Sequence, residues 1–260
     1  MEFDNLTAVV TGASGGIGEE FAVQLAARGS HLILVARRAE KLAALRDTLT
    51  ARHPGIVVDV IAADLATPGS GSELAAEVRR LGRSVDVLVN NAGVGVHGRF
   101  VDQEPEANAN QIQLNCGTLV DLTARFLPAM VERGRGVVLN VASTAAFQPT
   151  PGMAVYGATK AFVLSYSEAL WQECRGTGVR VLALCPGATK TEFFSRTGKE
   201  FMTDGRQTSK QVVDTAFAAL DRSTPTVVSG LRNTLLASGY RVAPRKLLLA
   251  VSERMLKASH

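Results

Sequence analysis

Tyr156 and Lys160 are a pair whose residue types and spacing could transfer a proton. The segment YGATK places the phenol and the ammonium four positions apart. If residues 151–175 form a helix, both side chains project from one face, about one turn apart. A phenol has an ordinary pKa of about 10, and a nearby ammonium lowers that pKa by favouring the phenolate. Because three tyrosines and seven lysines can produce this spacing by chance, the neighbouring sequence must decide its meaning.

A second candidate is the glycine-rich segment TGASGGIG, residues 11–18, between the apolar run TAVVT and the amphipathic run EEFAVQLAARG. With a strand before it and a helix after it, such a segment allows a tight turn and a close backbone approach to a pyrophosphate. The helix amino end also offers unpaired N–H groups. A simple connecting turn is the alternative. The pattern predicts a dinucleotide site that contains Gly12, Ser14, Gly16, Ile17 and Gly18.

Short apolar runs alternate with longer segments of helical period along the chain. Seven runs are candidate strands: TAVVT, HLILVA, IVVDVIA, VDVLVN, GVVLNVAS, RVLALCP and TPTVVSG. They are apolar on both faces, as buried parallel strands are, and the intervening segments are long enough for crossover helices. We expect one α/β domain over residues 1–260, a Rossmann-type doubly wound parallel sheet flanked by helices. Ligands bind such sheets beyond the carboxyl ends of the strands.

Composition argues against several classes of protein. Apolar residues make up 46% of the chain and charged residues 20%, which is typical of a folded globular protein. The formal charge is +4, but basic and acidic residues are interspersed, so we expect no nucleic-acid partner. Three cysteines without metal-ligand spacing predict neither disulfides nor a metal site, and they fit a reducing compartment.

We expect a cytoplasmic protein. The beginning, MEFDNLTAVVTG, lacks the basic and apolar segments of a signal peptide, and no stretch approaches about eighteen consecutive apolar residues. The segment APRKLLLAVSERMLK, residues 243–257, leaves contact with a membrane surface open, because basic residues flank its apolar cluster. A tail helix packed on the core is the favoured interpretation.

Further motifs follow the glycine loop. In order, they are NNAG at 90–93, Asn115, Ser143, Tyr156, Lys160 and PGATKT at 186–191. Together with the glycine loop, this series resembles the short-chain dehydrogenase/reductase superfamily over residues 6–191. The resemblance favours a chemical role for the Tyr156–Lys160 pair. It also implies an NAD(P)-binding domain with a substrate lid over residues 188–205 and a C-terminal helical tail over residues 231–260.

The end of the second candidate strand bears on the choice of cofactor. It reads VARRAEKL, and the nineteenth residue after Gly18 is Arg37. An NAD-binding enzyme carries a carboxylate near this point for the ribose 2′-hydroxyl, whereas Arg37 and Arg38 are suited to a 2′-phosphate. NADP(H) is therefore the expected cofactor. NAD(H) stays open, because the glycine loop lacks the basic residue that NADP-preferring members of the family often have there.

The resemblance also implies the remaining cofactor contacts. Asp64 is similar to an adenine-contacting aspartate with Leu65 against the ring, and a helix cap is the alternative for Asp64. Asn90 is similar to an asparagine that stabilises the central sheet. Lys160 is expected to hold the nicotinamide ribose, as well as to act on Tyr156. The other expected contacts are Asn91, Ala92, Gly93, Tyr156, Pro186, Gly187 and Thr189.

The catalytic group implied by the resemblance is Ser143, Tyr156, Lys160 and Asn115. Hydride passes between the nicotinamide and a carbonyl carbon, Tyr156 protonates the oxygen and Ser143 orients it. Asn115 is expected to kink its helix and to hold a water that links Lys160 to solvent. The expected reaction interconverts a carbonyl and a secondary alcohol.

The expected substrate walls, residues 94–100 and 144–150, carry few charges, which favours an apolar substrate. The lid offers the apolar residues Phe193, Phe194, Phe201 and Met202, although core packing is an equal alternative for them. The resemblance further implies a homodimer or homotetramer formed through helices around residues 108–132 and 151–175. A different function also stays open, in which an NADP(H)-binding protein acts through a partner or a membrane by its C-terminal helix.

Overall fold

The predicted parallel sheet is present in the computed structural model, which describes residues 2–193, 205–239 and 244–257. Its strands are β1 (Thr7–Thr11), β2 (His31–Ala36), β3 (Val58–Ala62), β4 (Val87–Asn90), β5 (Gly136–Val141), β6 (Val179–Cys185) and β7 (Thr226–Val228). They pair in the order β3-β2-β1-β4-β5-β6-β7, and every neighbouring pair is parallel. Each of the seven predicted runs therefore contributes one strand.

Helices connect the strands and cover both faces of the sheet. Over the described ranges they are α1 (Gly16–Ala26), α2 (Ala39–Arg52), α3 (Ser70–Arg80), α4 (Pro105–Ile112), α5 (Leu119–Glu132), α6 (Ala154–Glu173), α7 (Ser209–Asp221), α8 (Leu231–Gly239) and α9 (Arg245–Lys257). A π-helical segment, Gln113–Thr118, joins α4 to α5. A short 3-10 helix, Thr144–Phe147, follows β5.

Two apolar clusters account for the uniformly apolar strands. In β1, Ala8 and Val10 lie in the cluster that contains the buried side chains of α1, α2 and α7. Val9 lies in the cluster that contains those of α3, α5 and α6. Successive residues of a strand point to opposite faces, so a sheet covered by helices on both sides needs apolar residues at every position.

The order of the strands reverses at β1. From β1 the chain proceeds outward to β2 and β3, then returns to β4 on the other side of β1. Val10 is in register with Val89, so the carboxyl ends of β1 and β4 lie side by side. Ligands of open parallel sheets bind in the crevice beyond such a reversal.

The boundaries of two predicted helices differ from those observed. The helix expected over residues 151–175 begins later, at Ala154, because Gly152 has a φ of 83° and Met153 is not helical. The helix expected over residues 108–132 comprises α4, the π-helical segment and α5. The local distortion expected at Asn115 is therefore present as a π-helical turn.

The C-terminal tail forms α8 and α9. Most of the predicted lid, including Phe194, Phe201 and Met202, lies outside the described residues. In the part of the chain that the structure describes, no helix combines the length and the apolar character needed to cross a membrane.

Candidate active site

A cavity of about 610 Å³ lies beyond the carboxyl ends of the strands. Its walls come from the segments after β1, β2, β3, β4, β5 and β6, together with α6 and the C-terminal helices. Of the residues predicted to bind cofactor or act in catalysis, all but Gly18 and Asn115 line it. The structure thus gathers residues that are distant in sequence around one space.

Backbone geometry explains the glycines of the loop after β1. Gly12 has a φ of 68°, and a Cβ there would lie 2.7 Å from Asn91 Nδ2. Gly18 is buried against the loop, since a Cβ on it would collide with the carbonyl oxygen of Gly12. No side chain caps the start of α1 at Gly15, so the N–H groups of its first turn are not taken up by a capping side chain. These groups are available to an anion at the cavity wall.

Thr11 connects this loop to the end of β4, and the sequence analysis missed it. Its hydroxyl donates to Val89 O at 3.1 Å and accepts from the N–H groups of Asn91 and Ala92 at 2.9 and 3.0 Å. The Asn91 amide donates to Thr11 O at 2.9 Å. A polar residue at the end of a buried apolar strand was the sequence signal that could have identified Thr11.

Asn90 lies behind the cavity rather than on its wall. Its side-chain Nδ2 donates to Asn140 Oδ1 at 2.9 Å and to Thr123 Oγ1 at 3.1 Å, inside the sheet–helix interface. These contacts agree with the expected role of Asn90 in stabilising the central sheet.

The two arginines after β2 differ in their environments. Arg37 is exposed, whereas Arg38 is half-buried against the glycine loop, and both line the cavity. The Arg38 guanidinium donates from Nη2 to Ser14 O at 2.8 Å and to Ser14 Oγ at 3.0 Å. Arg38 also pairs with Glu192, with 2.8 Å between Nη1 and Oε2. A cationic group therefore stands beside the glycine loop.

Asp64 and Leu65 line the cavity after β3. The Asp64 carboxylate accepts from Ala66 N at 3.0 Å, which forms a local turn. The alternative role as a helix cap is not observed, because the residue before α3 is Gly69. Leu65 is buried, and its carbonyl accepts from Thr118 Oγ1 at 2.7 Å.

Ser143, Tyr156 and Lys160 meet at the opposite end of the cavity. Lys160 is 5% exposed, and its Nζ donates to Val141 O at 2.7 Å and lies 5.7 Å from the centre of the Tyr156 ring. Ser143 Oγ accepts from Ala145 N at 3.1 Å, and the Ser143 hydroxyl is near enough to Tyr156 to lower its pKa. The hydroxyls of Ser143 and Tyr156 and the amine of Lys160 thus share one part of the cavity wall.

The pKa values of the pair differ from the sequence expectation. Burial of the hydroxyl raises the pKa of Tyr156 to about 12, although the ring is half-buried on the cavity wall and the hydrogen bond from Ser143 favours the phenolate. Burial also lowers the pKa of Lys160 to about 8. The expected acidification of Tyr156 by Lys160 is therefore wrong for this structure, because withdrawal from water disfavours both charged forms. A pKa of about 12 keeps the Tyr156 hydroxyl protonated at neutral pH.

Asn115 is 1% exposed and lies one layer behind the cavity wall. Its Nδ2 donates to Val94 O at 2.9 Å and to Thr159 Oγ1 at 3.0 Å, and its Oδ1 accepts from Val94 N at 3.0 Å. A Cβ on Gly93 would lie 3.2 Å from Asn115 Oδ1 and 3.5 Å from Lys160 Nζ. Asn115 therefore holds the segment after β4 against the face of α6 that carries Lys160.

The segment after β6 bends across the cavity. Pro186, Gly187 and Thr189 line it, and Thr189 Oγ1 donates to Gly187 O at 2.9 Å. Phe193 lies further along, with its ring centre 5.3 Å from that of Tyr156. Phe193, in the described part of the predicted lid, thus packs beside Tyr156.

The C-terminal helices complete the cavity, which the sequence analysis did not foresee. Asn233 and Leu236 of α8 and Ser252 of α9 are on its wall. Ser252 Oγ donates to Gln148 Oε1 at 2.8 Å across a separation of 104 residues. Gln148 belongs to the predicted wall 144–150, so the substrate side combines apolar side chains with a polar pair.

Comparisons with known proteins agree with this architecture. The family model described as short chain dehydrogenase matches residues 6–200. A very-long-chain 3-oxoacyl-CoA reductase from Pyrenophora tritici-repentis is 35% identical over 225 residues, which cover 83% of this chain and 63% of the relative. The chain spans about half to two thirds of the length of the first such reductases that it matches.

Solved structures extend the comparison to nearly the whole chain. A short-chain dehydrogenase from Sphingobium yanoikuyae in complex with NADPH has a TM-score of 0.82 and 35% identity, and the match covers 98% of this chain and 96% of the other. One from Burkholderia phymatum in complex with NAD has a TM-score of 0.83 and 25% identity, with 96% of both chains covered. Since the family model and the fold agree over most of its length, this chain belongs to the short-chain dehydrogenase family of oxidoreductases.

Proposed function

We propose that the protein is an NADP(H)-dependent oxidoreductase that interconverts a carbonyl and a secondary alcohol by hydride transfer. The observation that carries this proposal is the convergence of Ser143, Tyr156 and Lys160 at one end of a cavity whose other end is a glycine loop at a helix amino end. One end suits the redox chemistry, and the other suits an anionic dinucleotide.

The residues of the cavity fit such a cofactor. Its volume falls within the range of about 300–1,000 Å³ that is typical of ligand pockets. At Gly16 a Cβ would lie 2.8 Å from Thr191 Cγ2, and at Gly95 it would lie 2.8 Å from Phe193 Cζ, so a side chain at either position would crowd the cavity wall. When bound, the reduced nicotinamide supplies the hydride, and Lys160 is suited to hold the adjoining ribose.

In the direction of reduction, Tyr156 donates its proton to the substrate oxygen. Its raised pKa keeps the hydroxyl protonated at neutral pH. Ser143 Oγ accepts from Ala145 N, and its own proton can turn from Tyr156 to the same substrate oxygen and stabilise the developing charge there. A charged Lys160 near the ring favours the phenolate that the transfer leaves behind. Asn115 acts as a positioning residue by holding the segment at Gly93.

Arg38 supports NADP(H) over NAD(H) as the preferred cofactor. Its guanidinium is fixed beside the glycine loop by Ser14, where it can pair with a 2′-phosphate, and exposed Arg37 adds a second positive charge at the same wall. An NAD-specific site would present a carboxylate at this point.

The substrate is proposed to be mainly apolar. Val94, Leu236 and Phe193 line the cavity, and Phe193 packs beside Tyr156. The relative from Pyrenophora tritici-repentis is named for very-long-chain acyl substrates. All three cysteines have free thiols, which supports a reducing, cytoplasmic setting. The chain is proposed to act as one domain with a lid over residues 188–205.

Assembly into a homodimer or homotetramer is also proposed. Ile112 at the end of α4 is 54% exposed and Phe162 of α6 is 45% exposed, so large apolar side chains face outward on the helices implicated by the family resemblance. A partner subunit would cover them. Light scattering of the purified chain tests the proposal, and a monomer at micromolar concentration would contradict it.

Replacement of Tyr156 by Phe tests the central proposal. Loss of the proton donor should lower the rate of NADPH-dependent reduction of a panel of apolar ketones by about 10²–10⁴-fold, with NADPH binding nearly unchanged. Tyr166→Phe is the matched control, because Tyr166 lies nearly three turns along the same helix and does not line the cavity. A Tyr156→Phe variant that turns over within about tenfold of the wild type would contradict the assignment.

A second candidate function is association with a membrane surface or a partner through the tail. Leu231 and Leu235 of α8 are 78% and 67% exposed, and Leu249 and Val251 of α9 are each 42% exposed. Co-sedimentation with vesicles that contain anionic lipid, lost on removal of residues 243–260, would support it. If the full-length protein and the protein without residues 243–260 both stay in the supernatant, membrane binding is rejected.

A further inference from the structure

Glu192 occupies a position between two cations at the edge of the cavity. Its Oε2 lies 2.8 Å from Arg38 Nη1, and its Oε1 lies 2.8 Å from Lys41 Nζ. Each carboxylate oxygen thus has its own cation. A guanidinium and an ammonium that converge on neighbouring oxygens form the kind of arrangement that proteins also use for phosphate.

This arrangement adjoins the proposed binding site of the ribose 2′-phosphate. Arg38, Ser14 and Glu192 all line the cavity, and Arg38 is bonded to the Ser14 carbonyl of the glycine loop. A 2′-phosphate held by Arg38 would carry its negative charge close to the carboxylate of Glu192. Two anions would then need the same donors, and they would repel each other.

We propose that Glu192 is an internal competitor of the 2′-phosphate and so determines how strongly the protein prefers NADP(H) over NAD(H). In the absence of phosphate, its carboxylate pairs with both Arg38 and Lys41 and offsets part of their positive charge. Binding of NADP(H) requires the carboxylate to release at least one of them, whereas binding of NAD(H) does not. This inference rests on the proposed use of NADP(H).

The ion pairs are weak enough to be displaced. The side chains of Arg38, Lys41 and Glu192 are 33%, 51% and 47% exposed, so water screens both pairs. A phosphate offers a larger charge and more acceptor oxygens than the carboxylate it replaces. Glu192 therefore weakens binding of the phosphate without preventing it.

The test is calorimetric titration of 2′,5′-ADP and 5′-AMP, two probes that differ only in the 2′-phosphate. Glu192→Gln should tighten binding of 2′,5′-ADP by about three- to tenfold, because exposed ion pairs are individually worth about 1 kcal/mol or less. Binding of 5′-AMP should change by less than about twofold. Glu40→Gln is the matched control, since exposed Glu40 carries the same charge in the first turn of α2 and should leave both affinities nearly unchanged.

Several results would overturn the proposal: unchanged or weaker binding of 2′,5′-ADP to Glu192→Gln, equal tightening for both probes, or an equal effect of Glu40→Gln. Arg38→Gln in the Glu192→Gln background should remove most of the gain. If the wild type does not distinguish the probes but Glu192→Gln does, the competitor role stands and the proposed NADP(H) preference fails. If neither protein distinguishes them, both fail.

Discussion

Thr11→Val removes the side-chain hydrogen bonds that connect the glycine loop to the end of β4. Valine has nearly the shape of threonine but lacks the hydroxyl that bonds to Val89 O and to two N–H groups. The N–H of Asn91 keeps a contact of 3.1 Å with Val89 O, whereas the N–H of Ala92 loses its acceptor. One half-buried N–H without a partner costs about 1–3 kcal/mol. The variant also loses the hydrogen bond that Thr11 donates. We therefore expect the free energy of unfolding to fall by about 2–3 kcal/mol.

Urea denaturation measures this difference. With an unchanged slope of about 2–3 kcal/mol per molar urea, the midpoint should fall by about 1 M. Thr7→Val is the matched control in the same strand, because Thr7 is also buried and its hydroxyl makes no hydrogen bond to any part of the chain that the structure describes. Equal midpoints for the two variants would refute the assignment of Thr11. NADPH binding should weaken only in Thr11→Val, because Asn91 and Ala92 line the cavity.

Two further predictions concern the catalytic end and the tail. Since burial lowers the pKa of Lys160 to about 8 and raises that of Tyr156 to about 12, kcat/KM for NADPH should decline as Lys160 loses its proton above pH 8, while Tyr156 stays protonated. If the pH profile of kcat/KM is flat to about pH 10, or is unaltered by Lys160→Met, deprotonation of Lys160 is not the cause of the decline. Ser252→Ala removes the hydrogen bond to Gln148 and should raise KM for the ketone by about two- to tenfold with NADPH binding unchanged. Ser238 is exposed on α8, so Ser238→Ala is the control variant. Equal KM values for Ser252→Ala and Ser238→Ala would exclude a role for the Ser252–Gln148 hydrogen bond in the substrate site.

The elements that were predicted correctly have local signals. Short apolar runs that alternate with segments of helical period indicated each of the seven strands, and their lack of apolar–polar alternation indicated a sheet covered on both faces. The glycine loop was recognisable because two of its constraints are local: Gly12 has a φ of 68°, and Gly18 lies against the carbonyl oxygen of Gly12. The i,i+4 spacing of Tyr156 and Lys160 likewise places them on one face of any helix that contains them.

Contacts between segments that are far apart in the sequence could not be predicted from such local signals. Thr11 acts on residues 80 and 81 positions later, and Ser252 reaches the cavity through Gln148. Neither the spacing nor the type of these residues indicates a partner so far along the chain. The helical distortion at Asn115, in the π-helical segment before α5, was expected only from the family resemblance. The hydrogen bonds between the Asn115 side chain and the backbone of Val94 could be identified only in the structure.

The sequence by itself determined the kinds of elements, their order and the residues at the ends of the strands, because hydrophobic period and glycine stereochemistry operate over a few residues. Only the tertiary structure decided protonation and charge pairing. Burial reversed the expected shift in the pKa of Tyr156, and the path of the chain after β6 brought Glu192 between Arg38 and Lys41. Solvent exposure and the distances between charges depend on how separate segments pack, and that information is not carried by any single stretch of residues.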